Sequence, residues 1–534
     1  MKLTGWMFMF LRAFVISGCI VNLMITPVKS AYTATYTVNS LSDPGDGVCN
    51  KSNCTLREAI NAANGTATSD LIQFSLSGTI TLGSSLPGIL SAGGALTIDG
   101  AGRNVIVSGA DSNRHFFIDT GANLTLKNLE LKNGYSGDIG GGIYNKGTLE
   151  VENSTITSNR TENDGGGIYS EGTLTLDNVS VTDNTTDVSD GGGLYIESGE
   201  AHIIDCNFQG NTATYSGGAI YNDGDLEVIN TIFFLNNAFG GNGGAIFTES
   251  GFQIHQSTFL MNSAEGDGGA IAINLASGSI YRSVFYYNIT TLDDGGGVFI
   301  NNNYSSSPVG IYDCRFELND ANSDGGGFYL VRGPLYILRS LFDDNHADGD
   351  GGGGYNLDGY VNIYSSTFYD NRADHGGGLY ITPSISSNIY NSTISSNSTT
   401  LIGGGGGVYA GSPTYVYNSI ITNNSTGGNC DDTWSHPTNM GNNIDSGTTC
   451  NWGSDKGSMS NTNPLLGALE DNGGFTKTMA LLNGSPAING VIYNAPNNCP
   501  DEDQRSFPRP FSTYCDIGAV EQYYRILLPI VIRN

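Results

Sequence analysis

Eleven copies of a short glycine-rich motif divide the middle of this chain into similar segments. The first copy reads GGGIYN at 140–145, and the others follow at intervals of 25 to 30 residues, ending with GGGVYA at 405–410. Short runs of alternating β-branched and aromatic residues surround each copy, a pattern that predicts strands rather than helices. A repeat of this length without a helical half is typical of one coil of a β-solenoid.

Alignment of the copies gives three columns. One is aliphatic from Val151 to Val416, and a second, five positions later, is Ile, Val or Phe from Ile156 to Ile421. The third is Asn in every copy: Asn159, Asn184, Asn211, Asn236, Asn262, Asn288, Asn319, Asn345, Asn371, Asn397 and Asn424. Stacked coils place equivalent residues about 4.8 Å apart. The apolar columns are therefore expected to form a continuous core, and the Asn column a ladder of amide hydrogen bonds. We predict an all-β solenoid with eleven coils over 136–426.

The N-terminus carries a predicted export signal. A basic start precedes an apolar run at 13–25, and small residues follow at 28–30. This order predicts a secretory signal peptide at 1–30, and hence a secreted, extracellular or cell-surface protein. The lipobox-like residues 16–19 leave a lipoprotein open as an alternative. No later segment is apolar over 18 residues, so no transmembrane span is expected in the mature chain.

Caps are predicted at both ends of the repeats. Residues 31–135 hold the N-terminal cap and the first coils, where a capping box at Thr55–Glu58 begins a short helix that ends at Gly65 and covers the open core. Residues 427–521 are predicted to form a C-terminal cap. The hydrophobic tail 522–534 is either a final strand or an anchoring or sorting signal. Five charged residues of the C-terminal cap are interpreted as an ion-pair network rather than a catalytic group: Asp501, Asp503, Arg505, Arg509 and Asp516.

The cysteines fall into two classes. Three close pairs are predicted to form disulfides in an exported chain: Cys49–Cys54, Cys430–Cys450 and Cys499–Cys515. Cys206 and Cys314 occupy a column of small residues two positions before the core Phe, four coils apart. That separation is about 19 Å, too far for a disulfide, so both are expected to be inert buried thiols.

Charge limits the partners. The chain has 22 Lys and Arg against 51 Asp and Glu, a net charge of −29. Nucleic-acid binding needs clustered cations and is not expected. A neutral extracellular glycan or a surface protein is the expected partner of a monomeric chain, and polyanionic pectin fits less well.

Several motifs resemble families of exported bacterial proteins. GGAI at 217, 243 and 268 combines with an FxxN motif that begins at Phe208, Phe233, Phe259, Phe285, Phe316, Phe342 and Phe368. These repeats resemble those of the chlamydial polymorphic outer-membrane proteins. The segment 43–65 is similar to the CSLREA domain, with Thr55 in place of Ser, and 463–474, 481–489, 503–510 and 515–521 resemble the choice-of-anchor Q domain. The resemblance implies a right-handed parallel β-helix, of the class that includes pectin lyases, acting as a surface adhesin.

An aromatic stripe is the candidate ligand site. The residue after the aliphatic position of each glycine motif is expected to point outward: Tyr144, Tyr169, Tyr195, Tyr221, Phe247, Ala272, Phe299, Tyr329, Tyr355, Tyr380 and Tyr409. We interpret its tyrosines as a candidate strip for binding sugars. A stacking ladder that only stiffens the solenoid is the alternative.

An acidic column is the candidate metal site. An Asp stands immediately before the glycines in several copies, and four consecutive coils carry it as Asp267, Asp294, Asp324 and Asp350. A row of carboxylates about 4.8 Å apart repels itself, and calcium would neutralise it. Weak calcium binding and a solvated acidic edge are both open, and no cofactor is required.

An enzymatic function is the second hypothesis, because the same fold class hosts polysaccharide lyases and glycoside hydrolases. Arg282 and Arg339 share a column with Asp313, which suggests either a lyase-like basic site or a charge-balancing ladder. His346 and His375 are expected to be surface histidines without partners. We therefore expect an adhesin-like or structural surface protein that binds glycans, with no assigned catalytic residues.

Overall fold

The computed structural model describes residues 32–302, 308–382, 386–411, 413–431, 436–492, 499–510 and 513–523. The predicted signal peptide and most of the hydrophobic tail lie outside the described residues. Within that part of the chain no helix is long and apolar enough to cross a membrane.

Four parallel sheets run the length of the repeats, and about 14 coils stack to form a parallel β-solenoid. Sheet 1 consists of Ala34–Val38, Asp70–Phe74, Ala95–Asp99, Asn123–Lys127, Thr148–Glu152, Thr173–Asp177, Glu200–Ile204, Asp225–Ile229, Phe252–His255, Gly278–Tyr281, Val309–Tyr312, Pro334–Leu338, Tyr360–Tyr364, Ser387–Tyr390, Thr414–Tyr417 and Thr438–Gly441. Sheet 2 consists of Gly78–Thr81, Val105–Ser108, Leu129–Lys132, Thr155–Thr157, Ser180–Thr182, Asn207–Gln209, Ile232–Phe234, Thr258–Leu260, Val284–Tyr286, Arg315–Glu317, Leu341–Asp343, Thr367–Tyr369, Thr393–Ser395, Ile420–Thr422 and Ile444–Asp445.

The two remaining sheets contain shorter strands. Sheet 3 consists of Phe116–Ile118, Ile143–Asn145, Ile168–Ser170, Leu194–Ile196, Ile220–Asn222, Ile246–Thr248, Ile271–Asn274, Val298–Asn301, Phe328–Arg332, Gly354–Asn356, Leu379–Ile381 and Val408–Ala410. Sheet 4 consists of Tyr135–Ser136, Arg160–Thr161, Thr185–Thr186, Thr212–Ala213, Asn237–Ala238, Ser263–Ala264, Ile289–Thr290, Asp320–Ala321, His346–Ala347, Arg372–Ala373 and Ser398–Thr399. Each repeat therefore contributes one strand to sheets 1, 2, 4 and 3, in that order along the chain. The predicted all-β solenoid is confirmed.

The core consists of stacked identical residues. Phenylalanine rings of sheet 2 lie 4.4–5.2 Å apart, nearly parallel, from Phe208 to Phe368. Aliphatic columns of sheets 1 and 3, such as the one from Val151 to Val416, fill the rest of the interior and are fully buried. Parallel pairing in constant register, with shifts only after Ile300 and after Val416 in the described strands of the repeat sheets, keeps the core columns continuous, and aromatic stacking adds to the burial of apolar area.

The Asn column forms the predicted ladder. Each Nδ2 donates a hydrogen bond to the Oδ1 of the Asn in the next coil, at 2.8–3.0 Å, from Asn159 to Asn424. In Asn319, Nδ2 also donates to the carbonyl of Phe285 at 3.0 Å. The buried amides thus satisfy one another along the axis of the solenoid.

The column of Cys206 and Cys314 is a second hydrogen-bonding ladder, which the sequence did not reveal. Ser340 illustrates it: its Oγ accepts the Cys314 N–H at 3.1 Å and donates to the carbonyl of Leu338 at 3.0 Å. Both cysteines are free and buried, as predicted. Burial raises the pKa of each thiol to about 12, which keeps it protonated and unreactive.

Helix α1, Leu56–Asn64, begins at the predicted capping box. Thr55 accepts from the Glu58 N–H, and the Glu58 carboxylate accepts from the Thr55 N–H at 2.8 Å. Gly65 follows as the C-cap. Leu56, Ala59, Ile60 and Ala63 are buried and join the solenoid core, so the predicted capping face is confirmed.

The C-terminal region differs from the predicted cap. Residues 430–431 and 436–459 do close the end, because Trp452 and the Cys430–Cys450 disulfide are part of the main core. The described residues of 464–492, 499–510 and 513–523 instead lie along the side of the solenoid. They contain two antiparallel pairs, Leu466–Glu470 with Thr478–Leu481 and Val491–Ile492 with Tyr514–Cys515.

Hydrogen bonds fasten this region to sheet 2. Thr367 Oγ1 donates to Gln504 Oε1 at 2.6 Å, and the Ala519 N–H donates to Thr393 Oγ1 at 3.1 Å. The Gly518 N–H donates to the Asn418 carbonyl at 2.8 Å, one coil further along. The predicted disulfides Cys49–Cys54 and Cys499–Cys515 are also present.

Candidate functional site

The aromatic stripe lies on the outer surface of sheet 3. Its rings are packed against one another: Tyr195 and Tyr221 lie 4.7 Å apart, and Tyr355 and Tyr380 also 4.7 Å apart, each pair nearly parallel. Tyr169, Tyr329 and most of their neighbours are buried to 7–9% exposure by this stacking, although they point away from the core. The structure thus brings together the residues predicted from the sequence as one continuous outer column.

The stacking leaves mainly ring edges and hydroxyls to solvent. The hydroxyl of Tyr221 donates to Glu249 at 3.2 Å, and that of Tyr144 donates to Glu171. Burial, and then nearby carboxylates, raise the pKa of Tyr195. A sugar stacks on an open ring face, and most faces here are already covered by the next ring. Sugar binding by this stripe stays a prediction.

The acidic column forms a hydrogen-bonded row beside the stripe. One carboxylate oxygen of each Asp accepts the backbone N–H of the equivalent residue in the next coil. Asp267 accepts from Asp294 at 3.3 Å, Asp294 from Asp324 at 3.0 Å, and Asp324 from Asp350 at 2.7 Å. Asn242 holds the preceding position and accepts from Asp267 at 2.8 Å. The side chains therefore point along the solenoid axis.

Half-burial makes three members of this row, Asp267, Asp294 and Asp324, harder to ionise by raising their pKa values. Burial, together with the charges of Asp294 and Asp293, raises the pKa of Asp267 to about 7. The pKa of Asp324 is raised to about 6 by burial and by its two neighbours in the row. No group of three or more His, Cys, Asp or Glu side chains is placed to hold a metal ion within the described residues. The calcium site on Asp267, Asp294, Asp324 and Asp350 stays a prediction.

The two histidines expected to lack partners have them, so that expectation was wrong. His375 Nδ1 lies 2.7 Å from Asp350 Oδ1 and ends the acidic row, and His346 Nδ1 lies 2.7 Å from Asp320 Oδ1. Neither pair was predicted from the sequence, because each joins residues of neighbouring coils that are 25 or 26 positions apart.

The pH dependence of stability follows from these shifts. Between about pH 4 and 7 the folded chain binds more protons at Asp267 and Asp324 than the unfolded chain, so stability should fall as pH rises. The raised pKa of His346 acts in the same direction. Burial lowers the pKa of His115 to about 4, and this opposes the trend below about pH 6.5. We expect the melting temperature to increase on acidification from about pH 8 to about pH 6.

The variant Asp267→Asn isolates the contribution of the Asp267 carboxylate to the pH dependence of stability. Its amide oxygen can still accept the Asp294 N–H, as Asn242 does for Asp267. We expect this variant to raise the free energy of unfolding at pH 8 by about 1–2 kcal/mol, after allowance for solvent screening, and to flatten the pH dependence. Urea unfolding at several pH values measures both effects. A loss of stability at pH 8, or an unchanged pH slope, would contradict the assignment.

In the column of Arg282, Asp313 and Arg339, the arginine charges are largely balanced by neighbouring groups. Arg339 forms a two-bond pair with Asp313 at 2.7 and 2.8 Å and also contacts Glu502 at 3.1 Å. The Arg282 guanidinium lies over the ring of Tyr281, 5.1 Å from its centroid. Arg315 pairs with Glu317 at 2.6 Å. These contacts favour the charge-balancing interpretation, although Arg282 stacks rather than joining an alternating ladder.

The charged residues of the C-terminal region form the expected network only in part, since within the described residues Asp503 and Arg505 are the one ion pair between two of the five predicted residues. Asp503 pairs with Arg505 at 2.6 Å, and Arg509 is fully buried 3.3 Å from Glu521, a partner that the sequence did not reveal. Asp516 accepts the Asn489 N–H at 2.6 Å. These contacts hold parts of the C-terminal region to one another.

A second aromatic surface, which we call the sheet 1 tyrosine face, was not predicted. It covers the outer surface of the last full strands of sheet 1. Its members are Tyr312, Tyr336, Tyr360, Asn362, Tyr364, Asn388, Tyr390, Tyr415 and Tyr417. The sequence did contain this pattern outside the glycine motif. Tyrosines recur there at positions that lie on the same side of a strand, for example Tyr360 and Tyr364 of YVNIY at 360–364.

Comparison with known proteins gives one match. A family model for the Chlamydia polymorphic membrane protein (Chlamydia_PMP) repeat matches residues 153–171 and 205–223. Each stretch contains the Asn ladder residue and the glycine motif of one coil, and 205–223 also contains the GGAI and FxxN motifs on which the resemblance to that family rests. No curated protein and no solved structure matches the chain significantly. In these two coils the chain is therefore similar to a repeat of chlamydial membrane proteins, on a parallel β-solenoid.

Proposed function

We propose that this chain is an adhesin-like protein of the cell surface that presents a rigid β-solenoid to extracellular glycans. The match to the Chlamydia polymorphic membrane protein repeat carries the proposal, because it associates this type of coil with membrane-surface proteins. The unbroken Asn ladder supports it, since buried hydrogen bonds fasten each of the eleven repeat coils from Asn159 to Asn424 to the next. Such a scaffold suits display of a surface rather than movement around a substrate.

The enzyme hypothesis has less support from the geometry. Its strongest candidate, Arg339, is held by Asp313 and Glu502 and is not poised to act as a base. A shallow groove of about 360 Å³ along the turn of Asn178, Asp205 and Asn230 has only Asp205 and the inert Cys206 as titratable lining groups. General acid–base chemistry needs an acid and a base placed to act on the same substrate. Neither the surroundings of Arg339 nor the groove beside Asp205 offers such a pair.

Surface labelling tests the location. Antibody raised against the folded chain should label intact source cells, and brief protease treatment of intact cells should remove the signal. Labelling that appears only after the cells are lysed would contradict the proposal. Incubation with a panel of polysaccharides, followed by a reducing-end assay, separates a binding protein from a lyase or hydrolase: we expect binding without release of shorter products.

A further inference from the structure

The sheet 1 tyrosine face has an amide floor between aromatic rings. Asn388 Nδ2 donates to Asn362 Oδ1 at 3.0 Å and to the hydroxyl of Tyr360 at 3.4 Å. Asn362 and Asn388 point outward from the sheet, yet they are only 2% and 9% exposed. The half-exposed tyrosine side chains around them provide this cover.

The rings on this face divide into two groups. Tyr364, Tyr390 and Tyr417 stack on one another at 4.7 and 4.5 Å and form a wall along one side. Tyr336 and Tyr415 belong instead to the column of Asn362 and Asn388, one at each end. They are separated by three coil steps, about 14 Å, so they do not stack on each other.

The face is also uncharged. From Val309 to Tyr417, the outward positions of the described strands of sheet 1 hold only Gly, Pro, Leu, Asn and Tyr. The same sheet carries Glu150, Glu152, Glu200 and Glu227 in earlier coils. In a chain of net charge −29, an uncharged surface of this kind disfavours polyanions and cations alike and matches a neutral ligand.

We propose that the sheet 1 tyrosine face binds a neutral oligosaccharide, lying along the solenoid axis from Tyr336 to Tyr415. This inference rests on the proposed function and names its binding site and ligand class. The rings of Tyr336 and Tyr415 offer apolar surfaces to the C–H faces of two sugar rings, and the tyrosine hydroxyls exchange hydrogen bonds with sugar hydroxyls. The coil step of about 4.8 Å is close to the repeat of pyranose units in an extended β-linked chain, so successive coils can meet successive sugars.

The geometry separates this face from the stripe on sheet 3. In the stripe, most central rings are covered on both sides by rings of the same column, as Tyr195 is by Tyr169 and Tyr221. Phe247 and Phe299 are the exceptions, because Ala272 lies between them. In the column of the sheet 1 face, the amides of Asn362 and Asn388 lie next to Tyr336 and Tyr415, respectively. The ring faces on the amide side therefore have no stacking partner within that column.

The experiment compares glycan binding by the full chain and by matched variants. An array of neutral β-linked glucans, galactans, mannans and xylans, with pectate as the polyanionic probe, identifies the best-bound sugar, and calorimetry measures its affinity. We expect Tyr336→Ala and Tyr415→Ala each to weaken binding about tenfold or more. Tyr336→Phe keeps the ring and should lose less. Tyr215→Ala, at an exposed tyrosine of a remote turn, is the control and should bind as the unchanged chain does.

The outcomes distinguish this site from the wider proposal. Glycan binding that survives both alanine variants, while their melting temperatures stay close to that of the unchanged chain, would overturn the site and leave a glycan-binding surface protein standing. Binding of pectate alone would overturn the neutral-ligand assignment, as would a protein partner captured by this face without any sugar. Surface labelling of intact cells tests the proposed function independently of all three results.

Discussion

Replacing Asn319 by alanine is expected to lower the free energy of unfolding by about 3–6 kcal/mol. Its Oδ1 accepts the N–H and Nδ2 of Asn288 at 3.1 and 2.9 Å, and its Nδ2 donates to the carbonyl of Phe285 and the Oδ1 of Asn345 at 3.0 and 2.8 Å. Asn319 and both Asn neighbours are buried, and alanine would remove all four of these hydrogen bonds. Urea unfolding followed by circular dichroism measures the loss.

Two further variants make this expectation specific. Asn322 lies in the same coil but is exposed, with one long hydrogen bond to the carbonyl of Leu292 at 3.4 Å. Asn322→Ala should change stability by less than about 0.5 kcal/mol. Asn319→Asp keeps the two accepting interactions but loses both donated ones at neutral pH, and protonation should restore one of them as the pH falls. If Asn319→Ala cost no more than Asn322→Ala, the ladder would not be a principal source of stability.

The repeat region could be predicted from the sequence because its physical requirement is local and recurs in every coil. A column stays in register only if each coil supplies the same type of side chain, so the columns of Asn319 and Phe316 are visible directly in the sequence. The capping box at Thr55 was equally recognisable, since its two hydrogen bonds join residues only three positions apart.

The C-terminal region was less predictable for the opposite reason. Its contacts join residues more than a hundred positions apart, for example Thr367 with Gln504 and Thr393 with Ala519. Nothing in the spacing of 464–523 says whether its hydrophobic residues cover the end of a solenoid or its side. Leu481 and Ile517 in fact pack on Ile420, which points outward from sheet 2.

In the candidate site, the contacts between rings were likewise harder to predict from the sequence than the positions of the rings. The alternation of residues predicted which tyrosines point outward and left open whether they stack on one another. The rings of Tyr355 and Tyr380 do cover each other's faces. In the sheet 1 tyrosine face, Asn362 and Asn388 occupy the column between Tyr336 and Tyr415, so these two rings do not stack on each other. Whether a ring is open or covered depends on its neighbours one coil away, about 26 residues distant in sequence.

The second large effect is expected in the phenylalanine column. Phe316 is fully buried between Phe285, 4.4 Å away, and Phe342, 4.7 Å away. Phe316→Ala should lower the free energy of unfolding by about 3–5 kcal/mol, because it removes buried apolar surface, leaves a cavity and breaks two stacking contacts. Phe316→Leu keeps most of the volume and should cost about 1.5 kcal/mol or less.

A double variant tests the stacking itself. Phe285→Ala and Phe316→Ala each break the contact between these two rings, so the combined loss in Phe285→Ala/Phe316→Ala should be smaller than the sum of the single losses. Phe239→Ala, at a ring that is 60% exposed, is the matched control and should leave the urea midpoint nearly unchanged. Strictly additive losses would mean that the rings contribute only through separate burial. A shortfall of about 0.5–1.5 kcal/mol would instead show that the stack stabilises neighbouring coils through direct contact, as the stacking geometry implies.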